Sequence, residues 1–179
     1  MSHFDRLAGS SANYWGGIVA DSTLSIVELA IGFAYGSFVP CLVAVLAGLV
    51  WYSLAEYGIH RWIYHAGPNT ASILHAFHHD EPDTIFSPPF YYTLTITSVH
   101  GLALAPFVGI PTALAFAGAM LFSYAQQSVI HHSAHRYPHL DILGTRSMLR
   151  RHHALHHNGG TANFGVSTTL WDRVFGTLR

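Results

Sequence analysis

Leu24–Ile59 reads LSIVELAIGFAYGSFVPCLVAVLAGLVWYSLAEYGI, 36 residues with two acids, no basic residue and a proline near the middle. Proline has no backbone donor and discourages helix in the residue before it, so Pro40 reads as a tight turn between two apolar stretches, Leu24–Val39 and Cys41–Ile59. A second pair follows, Thr93–Ile110 and Thr112–Ile130, divided by Pro111 after Gly109. At about 1.5 Å per residue, stretches of roughly 16 to 19 residues just span a hydrocarbon core about 30 Å thick. The expectation is an all-α integral membrane protein with four transmembrane helices in two hairpins. Glu28, Glu56, His100 and Gln126–Gln127 interrupt the stretches, and a soluble all-α protein with buried helices is the alternative.

Composition points the same way. Half of the 179 residues are hydrophobic and 9% are charged, against about a quarter charged in an ordinary soluble domain. One domain, residues 1–179, suits the length. A net charge of −1 lacks the basic footprint of a nucleic-acid binder. The single cysteine, Cys41, excludes an intramolecular disulfide, a thiolate zinc finger and an iron–sulfur cluster. The N-terminal MSHFDRLAGSSANYWGG lacks the basic-then-apolar order of a signal peptide. All eight positive residues are arginines (Arg6, Arg61, Arg136, Arg146, Arg150, Arg151, Arg173 and Arg179), and all fall outside the hairpins and their turns. A chain that starts in the cytoplasm and crosses four times then keeps every arginine on the cytoplasmic side. The polar segments rich in histidine fall there too, as a helical cap facing the cytoplasm.

Fifteen histidines are unusual in so apolar a chain, and ten of them stand in four clusters. His60 and His65 are five apart; His75, His78 and His79 sit at i, i+3 and i+4. His131 and His135 are one turn apart, and His153, His156 and His157 repeat the i, i+3, i+4 pattern. Residues three and four apart share a helix face, so each of the last three clusters is expected to aim its ring nitrogens at one point. His60 and His65 lie about 140° apart on an ideal helix and converge only if it ends or distorts. Ten imidazoles exceed what one first-row ion takes, so two metals are the economical reading. His3 and His139 read as solvated, His100 as structural inside the third helix, and His132 and His152 as neighbours of ligands.

Neither the Glu-x-x-His pairs of soluble di-iron bundles nor a His-Glu-x-x-His metalloprotease motif is present. Histidine-dominated sites beside an apolar compartment suit O₂ activation against a C–H bond, and zinc fits the same ligands. Two other classes stay open. One is a non-catalytic zinc-binding or zinc-transporting membrane protein, which needs ligands along a transmembrane path. The other is a bis-histidine haem protein, which needs histidines facing each other across the spans.

The ordered set HX4H, HXXHH, HX3H, HXXHH, followed by NFGVSTTLWDRVFGT, resembles the fatty acid hydroxylase superfamily of integral-membrane di-iron enzymes over roughly Tyr57–Leu178. HRWIYH, SPPF and GVSTTLWD look closest to the fatty acid 2-hydroxylases. Carotenoid and sterol hydroxylases or desaturases of the superfamily share related features. The resemblance implies metal ligation by His60, His65, His75, His78, His79, His131, His135, His153, His156 and His157. It implies two iron ions, with zinc as a possible substitute in a purified sample. It also implies a lipid, fatty-acyl substrate, O₂, and electrons from a separate donor protein, since no fused haem domain is seen. Behind the ligands, Glu56 lies one turn before His60 and is placed to accept its ring N–H; a solvated helix-end charge is the alternative. Asp172 reads as tying down a turn or partnering a histidine. The glycines of NGGTANFG offer the tight backbone for the tail to fold against the last box.

Overall fold

The computed structural model describes residues 7–85, 87–137 and 145–179. Among them every regular element is helical: α1 Ser11–Tyr35, α2 Phe38–Ile59 running on as a π-helical turn His60–Tyr64, α3 Thr70–Asp80, α4 Phe90–Val108, α5 Ile110–Arg136, α6 Thr145–Gly159 and α7 Leu170–Val174. His3, Arg6 and His139 lie outside the described residues, as does the side chain of Arg146.

The helix breaks do not fall at the prolines. Helix α1 ends at Tyr35 and α2 starts at Phe38, so Pro40 sits inside the first turn of α2. Helix α4 ends at Val108 and is capped by Gly109, whose φ of 82° only glycine adopts freely, and Pro111 sits inside the first turn of α5. The first-turn N–H groups of a helix have no intrahelical acceptor, so proline there costs nothing and starts the helix it was expected to precede.

Among the described residues, three helical stretches are long and apolar enough to cross a membrane: Ser11–Tyr35, Phe38–Tyr64 and Ile110–Arg136. The fourth expected span, α4, is not among them; its threonines, tyrosines, His100 and Pro106 dilute it. Several of its polar side chains bond back to their own helix. Thr95 Oγ1 donates to the Tyr91 carbonyl at 2.7 Å, Thr97 Oγ1 to Thr93 at 2.9 Å, and His100 Nδ1 to Ile96 at 2.8 Å. Groups satisfied this way cost less in an apolar surrounding.

The chain forms two compact units. The first comprises Met1–Tyr52 and Ile85–Ala125. In it α1 is turned inside out relative to a soluble helix. Its buried residues are Tyr14 and a stripe of Asn13, Gly17, Asp21, Ser25, Glu28 and Gly32 at spacings of three and four, while Val19 and Ile26 are 65% and 68% exposed. Small and polar residues inward with large apolar residues outward is the pattern of a helix whose solvent is lipid. Ser25 Oγ donates to the Gly118 carbonyl at 2.8 Å, joining α1 to α5. Helix α2 approaches α5 as closely at Gly48, where a Cβ would lie 2.6 Å from the Phe116 carbonyl oxygen.

The second unit comprises Ser53–Thr84 and Gln126–Arg179 and carries all ten clustered histidines. The end of α2 and the C-terminal segment lock together here. Tyr57 is fully buried, stacked on Phe175 at 5.2 Å, with its hydroxyl 2.9 Å from Thr177 Oγ1. Trp171 Nε1 donates to Ser53 Oγ at 3.0 Å. A small apolar core of Ile130, Leu149 and Val166 ties α5, α6 and the segment after α6.

Candidate metal centre

Each histidine cluster is delivered by a specific local device. The π-helical turn at His60–Tyr64 closes with His65 N–H donating to the His60 carbonyl at 3.3 Å, an i→i+5 bond. The wider turn brings His65 over His60, so their ring centroids are 5.3 Å apart, where an α-helix would have set them about 140° apart. This is the distortion that convergence of the first box requires. Helix α3 starts at a reciprocal cap: Asn69 Oδ1 accepts from Ser72 N–H and Ser72 Oγ accepts from Asn69 N–H, both at 2.9 Å. Helix α5 runs past the apolar edge at Ile130 through Arg136 and carries the third box on its last turns.

The ten histidines fall into two groups of five. His60, His65, His75, His79 and His156 form the first; His78, His131, His135, His153 and His157 form the second. Within each group the five donor atoms lie within 4.8 Å of one another. The two groups are neighbours, with the rings of His79 and His157 stacked at 4.2 Å.

Neither HXXHH box aims at one point, contrary to the expectation from shared helix faces. His75 and His79 go to the first group and His78 to the second; His153 and His157 go to the second and His156 to the first. Helix geometry explains the split. Positions i and i+4 differ by about 40° around the axis, whereas i+3 lies about 100° from i+4. Each box therefore gives its i, i+4 pair to one group and its middle histidine to the other, in reciprocal fashion.

The donor chemistry fits cations. His75 Nε2 lies 3.1, 3.1 and 3.0 Å from the Nε2 atoms of His60, His65 and His79. One ring nitrogen carries at most one hydrogen, so hydrogen bonding satisfies at most some of these contacts and sets lone pairs against each other in the rest. Metal–nitrogen bonds of about 2.0–2.1 Å would place neighbouring ligand nitrogens about 2.9–3.4 Å apart. In the second group His153 Nε2 and His135 Nε2 are 3.0 Å apart, and His78 Nε2 and His157 Nε2 are buried with no hydrogen-bond partner. Burial, reinforced by neighbouring rings, holds the imidazoles neutral, which is the ligating form. It pushes His78 down to about 3, His156 to about 4 and His157 to about 2, and holds His65, His75 and His153 below the usual range. His79 is also lowered by burial, opposed by a hydrogen bond with the His157 backbone and by Asp80.

Behind the first group stands the turn after α6. His60 Nδ1 donates to the Phe164 carbonyl at 2.5 Å and His156 Nδ1 to the Ala162 carbonyl at 2.7 Å. A carbonyl only accepts, so both rings carry their hydrogen on Nδ1 and present a bare Nε2 to the group. Glu56 does not meet His60. Its carboxylate accepts from Val166 N–H at 2.5 Å and Ser167 N–H at 3.0 Å. A buried carboxylate seeks donors, and two amides of the turn supply them, while the His60 N–H is already taken by a carbonyl. Asp172 both ties down the turn and partners a histidine. It accepts from Phe164 N–H (2.8 Å), Gly165 N–H (2.8 Å), Thr177 Oγ1 (2.7 Å) and His152 Nε2 (3.0 Å). Burial alone would raise its carboxyl, but these four donors hold it below the usual carboxylate range.

Of the histidines set aside, His152 binds Asp172, His100 bonds to its own helix, and the ring of His132 lies 5.8 Å from that of Tyr137, outside both groups. The residues the sequence did not disclose are backbone ones, the carbonyls of Ala162 and Phe164. The tight glycines of NGGTANFG were their one signal.

The family model described as fatty acid hydroxylase matches residues 45–177. A dihydroceramide fatty acyl 2-hydroxylase of Arabidopsis thaliana is 31% identical over 160 residues, covering 84% of this chain and 67% of that protein. A fatty acid 2-hydroxylase of Mus musculus is 31% identical over 149 residues, covering 73% of this chain and 38% of that one. The chain thus spans two thirds of the plant relative's length and well under half of the mouse relative's. The solved structure of full-length scs7p, in which only the hydroxylase domain is visible, shares the fold with a TM-score of 0.81 at 22% identity, over 99% of this chain and 70% of that one. As the histidine boxes and the tail implied, the chain belongs to the fatty acid hydroxylase family.

Proposed function

We propose that residues 1–179 act as one membrane-embedded domain that hydroxylates a C–H bond of a lipid acyl chain. The reaction is R–H + O₂ + 2e⁻ + 2H⁺ → R–OH + H₂O. The carrying observation is the pair of five-nitrogen histidine groups in a member of this family. Two iron ions, when bound, would supply the O₂ chemistry that no side chain of the chain provides. His60, His65, His75, His79 and His156 would hold one, and His78, His131, His135, His153 and His157 the other. The chain's own part is to keep ten imidazoles neutral by burial and to fix the Nδ1–H form of His60 and His156. Two relatives are named for 2-hydroxylation of fatty acids or fatty acyl groups, which supports an acyl chain as substrate. The two electrons come from a separate donor protein.

In this reading α4 completes a four-span bundle, and the histidines face the cytoplasm. Arg61, Arg136, Arg150, Arg151, Arg173 and Arg179 all belong to the histidine-bearing unit, which supports that orientation through the preference of arginine for the cytoplasmic side. Cysteine placed at the exposed Gly159 should resist a membrane-impermeant label applied to intact cells; ready labelling there rejects the orientation. Lipid mass spectrometry of a host with and without the protein tests the activity. Acyl lipids should gain one oxygen with the intact chain and not with His156→Ala. Loss of two hydrogens in place of that gain would turn the reading to desaturation, and no change in any lipid would reject it.

A further inference from the structure

Four consecutive backbone amides, Phe164 through Ser167, are all taken by carboxylates. Asp172 accepts the first two and Glu56 the second two. The residues come from opposite directions in the chain, since Glu56 stands near the end of α2 and Asp172 in α7. The same stretch of backbone turns its carbonyls at Ala162 and Phe164 toward the Nδ1 atoms of His156 and His60. Phe164 is the relay, its N–H on Asp172 and its C=O on His60. The contact admits only glycine at 165, where a Cβ would lie 2.1 Å from the Thr168 carbonyl oxygen and 2.9 Å from Asp172 Oδ2. Asn163, at φ 58°, is pinned at both ends. Its backbone N–H donates to Thr177, and its side chain exchanges hydrogen bonds with the backbone of Arg179.

We infer that the turn Ala162–Ser167 is the orienting collar of one metal position, that of His60, His65, His75, His79 and His156, and that Asp172 and Glu56 are positioning residues acting through its backbone. The inference rests on the reading that each histidine group holds a metal. It assigns the tail a role specific to one group. Among the described residues, the collar's histidine contacts through Nδ1 are with His60 and His156, both of the first group, while the buried Nδ1 of His153 in the second has no hydrogen-bond partner. Groups that orient a ligating histidine from behind typically change metal affinity about 10- to 100-fold when removed.

The test uses the whole chain in nanodiscs loaded with zinc as the probe. Bound zinc is counted by mass spectrometry, and the imidazole nitrogens are followed by NMR. Wild-type protein should hold two zinc ions and show slowly exchanging Nδ1–H signals, of which one is removed by His60→Ala and another by His156→Ala. Asp172→Asn and Glu56→Gln should each weaken one zinc position about 10- to 100-fold and spare the other, with Asp172→Glu recovering part of the loss. Unchanged binding in both variants, or equal weakening of both positions, overturns the inference. So does a wild-type spectrum without slowly exchanging Nδ1–H signals from His60 and His156, which decides the matter even where a variant fails to fold. Wild-type protein that binds no zinc overturns the metal reading itself, and this inference with it.

Discussion

His153 and His156 stand one turn apart on α6, are 2% and 0% exposed, and end in different groups. Behind His156 a carbonyl holds Nδ1 at 2.7 Å; behind His153 the corresponding nitrogen is buried with no partner. The inner layer of each group is the same, five imidazoles, so the groups differ in what stands outside it. Two rings of the first group are held by backbone that two carboxylates hold in turn. In the second, those of His131, His135, His153 and His157 lean on one another, with centroids 4.6 to 5.0 Å apart. A buried ring N–H without an acceptor costs about 1–3 kcal/mol. Equal donor sets therefore need not make equal sites.

The strongest way to break this comparison is to remove ligands in pairs. Any single ligand variant should lose one ion and reduce activity by more than the roughly 100-fold typical of an outer partner. His78→Ala with His153→Ala strikes one group twice and should still retain one ion. His78→Ala with His156→Ala strikes both and should retain none. Metal counting on the two double variants checks the reciprocal split of the boxes; equal loss in both would mean the two sets of nitrogens are not separate sites.

A smaller effect sharpens the comparison. If the collar pre-orients the first group alone, a chelator should strip the two ions in two phases, with affinities about 10- to 100-fold apart. The ion that leaves first should be the one absent from His153→Ala. Release in one phase, or first loss of the ion that His156→Ala lacks, would show that outer hydrogen bonding does not rank the sites.

Much of this was legible in the letters, and what was not has a physical reason. Ten histidines at ligand spacings announced the inner layer, and the awkward five-residue step from His60 to His65 required a helix that either ends or distorts there, of which the π-helical turn is the second. The destination of each ring within an HXXHH box was not legible. It depends on where two points lie around the helix, which tertiary structure sets. A spacing of four points Glu56 either at His60 or at solvent, whereas its partners are more than a hundred positions away, Val166 and Ser167. The collar's carbonyls were invisible because every residue has one. Pro40 and Pro111 suggest dividers because proline is disfavoured within helices, yet the first turn is where it fits.

Acidity tests the burial that both groups share. Unfolded histidines protonate near pH 6.5, whereas folded His78, His156 and His157 stay neutral down to about 3, 4 and 2. Between those values the unfolded chain binds more protons than the folded one, so stability falls as pH falls, beginning below about 6.5 and not above it. The thermal midpoint of metal-free protein should be lower at pH 5.5 than at pH 7.5 and level between 7.5 and 8.5. With metal bound the drop should be steeper, because protons then displace the ion as well. A midpoint indifferent to pH would mean that the rings open to water once the ions are gone.

The smallest effect separates neighbours in the third box. His131 and His132 are adjacent on α5 and therefore about 100° apart around it. His131 stands in the second group, its ring 4.7 Å from His153 and 4.6 Å from His78, while His132 lies beside Tyr137. A pairing of His132 with His135 has permitted i, i+3 spacing, but α5 turns that face away from the group. His132→Ala should keep both ions and change stability by about 0.5 kcal/mol or less, the ordinary range for a substitution outside core and site. His131→Ala should lose one ion. Metal counting reads both variants: an ion lost from His132→Ala with two kept in His131→Ala would rotate the end of α5 by a residue and unmake the second group as drawn.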